Sequence, residues 1–206
     1  IAQKYKYDTP RLESALDSIT TEGNYLLELI NSILDVNQLE HGHVELASEP
    51  FHPAATVRES VEMLHPLADK KEQHLTVTCD GEDRVVVGDA NRFGQIIINI
   101  VSNAIKYTDN GGKIDVRLEC LPDDRYRFIC ADNGIGMTEE FARHICEEYA
   151  RAEDSRVSKV QGTGLGMSVV KGFTELMHGT LSVQSAPGEG STFIVEVPLQ
   201  AASEEQ

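Results

Sequence analysis

Leu12, Leu16, Ile19, Gly23, Leu26, Ile30, Ile33 and Asn37 recur along the first forty residues at spacings of 4-3-4-3-4-3-4. That alternation is the seam of helices that pack side by side. Leu27 and Leu34 widen the stripe on one flank, as a helix in a bundle requires. Thr9 suits the N-cap, Pro10 the first turn, and Gly42 the residue just past the end. The spacing predicts a helix over 11–41, a coiled-coil-like rod roughly 46 Å long at about 1.5 Å per residue. Gly23 and Asn37 fill such a seam poorly, which leaves open a long amphipathic helix lying on its own domain. A rod of this length would overhang a domain built from the remaining residues, and that favours a helix in need of partners.

From Val44 onward the period changes. Short strands are predicted near 44–47, 74–79 and 84–87, and longer alternating runs at 113–120 and 125–131. Leu121-Pro122-Asp123-Asp124 joins the longer two as a hairpin. A second pair, 180–185 and 192–197, is joined by Ala186-Pro187-Gly188-Glu189-Gly190. Helices fit 54–70, 91–106 and 165–177. Strands adjacent in sequence make a mixed, mostly antiparallel sheet, so the three helices cover one face: an α+β two-layer sandwich. Between Thr138 and Gly162 the apolar rhythm stops and charges of both signs mix. Such a segment is either disordered or a lid, and its glycine-rich flanks favour a lid. The chain divides into a helical appendage (1–42), a domain (43–200) with a lid at about 138–162, and a tail (201–206).

Charge narrows the ligand. Thirty-four acidic residues against 18 basic ones leave a net charge of −16, which disfavours any nucleic-acid partner that must be met by a basic face. A nucleotide is still possible, because it needs only a few backbone N–H groups, a cation or a metal. The four cysteines form no C-x-x-C pair and read as small buried residues. The longest apolar run, Ile96-Ile97-Ile98, stops at Asn99, far short of the ~20 residues a spanning helix needs. No secretory signal is visible, so the expectation is a cytoplasmic chain without membrane contact, compatible with an anchored parent.

Three constellations carry chemistry. Asn99, Asn103 and Lys106, followed by Tyr107, put a polar stripe on an otherwise apolar helix. A buried asparagine without a partner costs about 1–3 kcal/mol, so two in one stripe point to a polar ligand or to a structural hydrogen-bond network. Asp132-Asn133-Gly134-Ile135-Gly136 follows a strand directly. A carboxylate there accepts hydrogen bonds, as from an exocyclic amino group, and glycines let backbone approach a flat ligand; alone, the pattern is often only a turn. Gly162-Thr163-Gly164-Leu165-Gly166 opens a helix, where free N–H groups suit phosphate. The rival is a dinucleotide-binding glycine loop, but that loop follows a strand, and here a charged lid precedes it.

Taken in order, Asn99-x-x-x-Asn103, Asp132-x-Gly134-x-Gly136 and Gly162-x-Gly164-x-Gly166 resemble the N, G1 and G2 boxes of sensor histidine kinases of two-component systems. Leu26–Asp35 looks like the second helix of the dimerisation and histidine-phosphotransfer domain, and His178–Phe193 like the closing hairpin of the catalytic domain. The resemblance covers residues 20 to 199 or so. It implies the Bergerat (GHKL-type) ATP-binding sandwich, with ATP and Mg2+ as cofactors. By that resemblance Asn103 ligands magnesium, while Lys106 and Tyr107 lie beside the phosphates and base. Asp132 receives the adenine amino group, with Gly134 and Gly136 in the same loop. Gly162, Thr163, Gly164, Leu165 and Gly166 hold the lid over the phosphates, and Arg151 reaches the terminal phosphate. Related ATPases carry a glutamate where this chain has Asn99, and an amide cannot serve as a base. Asn99 therefore points to phosphoryl transfer over hydrolysis. Implied partners are the protein's own dimerisation domain or a second protomer in a homodimer, and a response regulator receiver domain.

Two departures bear on activity. Ile145-Cys146-Glu147-Glu148-Tyr149-Ala150-Arg151 stands where the family reads Ile-Phe-Glu-Pro-Phe-x-Arg. The first aromatic and the proline are gone, which leaves open a nucleotide-binding module without catalysis. None of His41, His43, His52, His65, His74, His144 and His178 sits in the Ser-His-Glu-x-x-Thr-Pro-like segment that carries the family's phosphoacceptor. The expectation is that the acceptor lies upstream of Ile1.

Overall fold

The computed structural model describes residues 9–42, 44–81, 84–147 and 164–202. Alternation builds its sheet. In β4 (Lys113–Leu121), β5 (Arg125–Asp132) and β7 (Gly190–Pro198), every second residue is buried: Ile114, Val116 and Leu118, then Tyr126, Phe128 and Cys130, then Phe193, Val195 and Val197. The other face is charged. Glu119, Arg127 and Glu196 are register neighbours across those three strands, and Arg127 Nε donates to Glu196 Oε1 at 2.7 Å. Exposed pairs of this kind add little stability, but they mark which face meets water.

With β2 (His74–Cys79) and β6 (Thr180–Ala186), the five-stranded order is β2-β4-β5-β7-β6. Only β2 and β4 run parallel. Helices α2 (Pro53–Glu62), α4 (Ala90–Tyr107) and α6 (Gly166–Leu176) cover the apolar face. In α4 the buried set Phe93, Ile96, Ile97, Ile100, Val101, Ala104 and Ile105 keeps helical spacing, and the Asp89 side chain caps its start by accepting from Arg92 N. Full burial of one such side chain contributes about 1.5–3 kcal/mol.

The structure corrects three boundaries. The alternation at 44–47 is real, since Val44 and Leu46 pack against the core, but it makes no strand. The Ala47 N–H is taken by Asp89 Oδ2 instead, and the strand β1 (Glu49–Phe51) forms later, pairing with β3 (Val86–Gly88). The helix expected over 54–70 is two, because Pro66 has no N–H to continue it; α3 (His65–Asp69) starts afresh after Leu64. The tail expected from 201 begins inside the fold, where Ala201 bridges Val86 and Ala202 N donates to Val85 O.

Among the described residues, helix α1 (Thr9–Glu40) meets the domain through its C-terminal end. Val36 and Leu39 pack on the core, and a Cβ added to Gly172 of α6 would lie 2.6 Å from Leu39 Cδ1. Asp35 receives Arg92 Nη1 at 3.1 Å and Gln95 Nε2 at 2.5 Å. Upstream, Leu16, Ile19, Leu26, Leu27, Ile30, Ile33 and Leu34 are between 45% and 61% exposed, so the apolar stripe overhangs the domain.

Candidate functional site

Helix α4 carries its polar stripe beside its buried one. Asn99, Asn103, Lys106 and Tyr107 are half-buried, while Ile100, Val101, Ala104 and Ile105 between them are buried. Asn99 Nδ2 donates to Gln95 O one turn back, which turns its amide oxygen outward. That oxygen meets the start of α6: a Cβ on Gly166 would come within 3.1 Å of it. The asparagine and glycine-rich motifs, with Asn99 and Gly166 67 positions apart in the chain, are thus in contact.

Strand β5 delivers Asp132 to the C-terminal end of α4. Burial pushes its carboxyl pKa up, opposed by hydrogen bonds from the backbone N–H groups of Gly134 (2.8 Å) and Ser191. The loop after it runs along the last residues of α4, with Ile135 N donating to Tyr107 O at 3.1 Å. Gly134 is a close approach: a Cβ there would lie 2.4 Å from Tyr107 O, 2.8 Å from Asp132 Oδ1 and 3.0 Å from Thr108 Oγ1. Gly136 is required twice over. Its φ is +63°, and a Cβ would sit 1.9 Å from Ala186 O in the β6–β7 turn. Across that turn Met137 N donates to Ser185 Oγ and Gly188 N to Ile135 O, each at 2.8 Å.

Gly164 adopts φ +73° just ahead of α6. Leu165 is 1% exposed, so its side chain anchors the helix start. Among the described residues no side chain caps α6, which leaves its first N–H groups available to an anion. Arg151, Gly162 and Thr163 lie outside the described residues, as does 148–162 of the expected lid; its first part holds the short helix α5 (Glu139–His144), capped by Thr138.

These features fit a nucleotide. Asp132 is a desolvated acceptor at a glycine-lined loop, and buried Thr108 Oγ1 beside it has no hydrogen-bond partner among the described residues. The other end offers amides and an uncapped helix start. Sequence reasoning missed Lys71 and Gln73, whose side chains reach the carbonyls ending α4. A lysine and a glutamine in a turn carry no signal of it. Ser185 was missed likewise, since a serine in a strand reads as surface.

Residues 88–201 match the family described as histidine kinase-, DNA gyrase B-, and HSP90-like ATPase. An uncharacterized sensor-like histidine kinase of Rhizobium meliloti is 33% identical over 197 residues, covering 96% of this chain and 37% of the relative. The circadian input-output histidine kinase CikA of Synechococcus elongatus is 34% identical over 198 residues, covering 95% of this chain and 26% of the relative. The chain thus spans well under half the length of these curated relatives. Among solved structures, full-length ShkA in complex with AMPPNP superposes with a TM-score of 0.80 at 25% identity, over 94% of this chain and 40% of that one. Histidine kinase ThkA, solved with the response regulator protein TrrA, superposes at 0.68 and 25% identity, over 91% of this chain and 51% of that one.

Proposed function

This chain belongs to the histidine kinase-, DNA gyrase B-, and HSP90-like ATPase family, and from that premise we propose that it binds Mg-ATP between α4, the loop after β5 and the start of α6, and transfers the γ-phosphate to a histidine. The observation that carries the reading is the contact of Asn99 with Gly166 midway along α4 while Asp132 is held at the helix's C-terminal end. A ligand with a flat polar base and a distant anionic tail has that polarity.

Asp132 accepts from the exocyclic amino group, its orientation set by the N–H groups of Gly134 and Ser191. The N–H groups opening α6, with Gly164 and Gly166, receive phosphate. Asn103 is the protein ligand of magnesium. The ion would be ligated largely by the nucleotide phosphates and water. Magnesium supplies charge neutralisation at the phosphates. Lys106, and Arg151 from the lid, add positive charge there. Asn99 bears no base to activate water, so the phosphoryl group is kept for a protein acceptor.

Residues 1–42 would belong to a dimerisation domain, their exposed apolar stripe covered by a second protomer, and the phosphohistidine would pass its phosphate to a receiver domain. ThkA, solved with a response regulator, supports that partner class. No helix among the described residues is long and apolar enough to cross a membrane.

The test mixes the chain with Mg-ATP and a separately made dimerisation domain carrying a phosphoacceptor histidine, and looks for acid-labile phosphate. Thermal stabilisation by Mg-ATP, lost in Asp132→Ala and Asn103→Ala, is expected alongside transfer. Stabilisation without transfer would remove the kinase half of the proposal; no stabilisation would remove the nucleotide half.

A further inference from the structure

An α-helix leaves its last four carbonyls without partners inside it. In α4 those carbonyls, and the two that follow, are taken almost one by one. Ala104 O receives Thr108 N at 3.0 Å. Lys71 Nζ donates to Ile105 O (2.7 Å), Lys106 O (3.1 Å) and Thr108 O (2.6 Å). Three ammonium protons thus meet three acceptors. Gln73 Nε2 reaches Ile105 O (3.1 Å), Thr108 O (2.7 Å) and, more distantly, Asp109 O (3.4 Å). Between Ile105 and Asp109 these two side chains leave the carbonyl of Tyr107, and it accepts from Ile135 in the loop carrying Asp132.

Both side chains come from a single turn ahead of β2. The residue between them, Glu72, has φ +54°, a left-handed conformation that a non-glycine residue adopts at a cost. The backbone of the same turn ties down the next loop: Gly111 N donates to Lys71 O at 3.0 Å and His74 N to Gly112 O at 2.8 Å. Lys71 is no free surface lysine. Burial pushes its pKa down, against the pull of Asp109. It also sets a positive charge on the negative end of the α4 dipole, beside which an anionic nucleotide would lie.

We propose that Lys71 and Gln73 are positioning residues for nucleotide binding: by gripping the end of α4 they fix the spacing between the Lys106–Thr108 segment and the Asp132–Gly134 loop. The inference rests on the ATP-binding reading above. Its physical basis is the absence of slack at Gly134, where Tyr107 O already stands 2.4 Å from the site of a Cβ. A shift of α4's end by a few tenths of an ångström is passed to Gly134, and through its N–H to the Asp132 carboxylate. The α6 end of the site, two turns away, is not moved. The effect therefore falls on affinity, and the transfer step at saturating ATP is spared.

The experiment measures the dissociation constant and KM for Mg-ATP, kcat for transfer to a separately supplied histidine domain, and Tm, in wild type, Lys71→Met, Gln73→Met and the milder Lys71→Gln. The expected result is a rise in both Kd and KM of about tenfold or more in Lys71→Met, as when hydrogen bonds from a charged group are lost, with kcat unchanged. Lys71→Gln, which keeps two donors, should show a smaller rise in the same direction, and it decides the matter if Lys71→Met does not fold. A lower Tm with unchanged Kd in every folded variant would overturn the inference and leave a structural cap. A fall in kcat with KM intact would overturn it as well. Wild-type protein that fails to bind Mg-ATP would instead sink the underlying reading.

Discussion

Replacing Gly134 by alanine places a methyl group in space that the end of α4 already fills. The new Cβ would stand 2.4 Å from Tyr107 O, 2.8 Å from Asp132 Oδ1 and 3.0 Å from Thr108 Oγ1. An unstrained carbon–oxygen contact is about 3.3–3.6 Å, so the carbonyl must retreat by roughly 1 Å. That carbonyl is backbone inside a capped helix end and cannot swing aside as a side chain would. Overpacking of this kind costs about 1–3 kcal/mol. The Ile135 N–H to Tyr107 O bond, already 3.1 Å long, would be lost for about 1 kcal/mol more. The sum, about 2–4 kcal/mol, is less than a typical domain's stability, so the variant should fold. Because the displaced loop carries Asp132, part of the cost should appear in binding, as a rise in the Mg-ATP dissociation constant of about 10-fold or more. Isothermal titration gives the affinity, and urea denaturation of the same samples gives the stability. Lost stability with unchanged affinity would place the constraint in the fold and refute its role in the site. No change in either would refute the packing argument altogether.

Other substitutions read separate parts of the structure. Burial raises the Asp132 pKa in the folded chain, so between its ordinary value near 3.9 and that raised value the folded state holds a proton the unfolded state has lost. The cost of ionising the carboxyl is therefore present above the raised pKa and relieved as pH falls through it. Relative to Asp132→Asn, the nucleotide-free wild type should gain stability on acidification while losing ATP affinity, and parallel trends in the two would contradict the assignment. Asn99→Glu restores a base beside Gly166 and should raise ATP hydrolysis, by as much as about 10²-fold if a general base is all that is missing; an unchanged phosphate-release rate would count against Asn99 as the reason hydrolysis is withheld. Gly23→Ala, in exposed helix with nothing among the described residues within 4 Å of the new methyl, should stabilise α1 by about 0.8–1 kcal/mol, seen as increased helicity on thermal melting.

Much of this architecture was legible along the chain. The period of Phe93, Ile96, Ile97, Ile100, Val101 and Ala104 placed α4 to within a residue at each end, and the alternations at 113–120 and 125–131 placed β4 and β5 as closely. The stripe from Leu16 to Leu34 announced a helix that overhangs its domain, because a stripe is written in the order of the residues themselves. The three motifs were legible for the same reason: each is a short run of neighbouring residues. The failures occurred where a second segment competes for the same groups. Val44 and Leu46 alternate like a strand, but Asp89, from 42 positions away, takes the N–H of Ala47. The motif gave Gly134 the approach of a flat ligand as its reason, but it does not show the carbonyl at the end of another element that fills the space of a Cβ. Asp132 is an ordinary aspartate in sequence, and only enclosure shifts its titration. Periodicity and motif depend on neighbours in the chain, and those the sequence determines by itself. Desolvation, close approach and the partner of each carbonyl depend on neighbours in space: Lys71 and the Ile105 oxygen it holds are 34 residues apart, and only the fold decides that they meet.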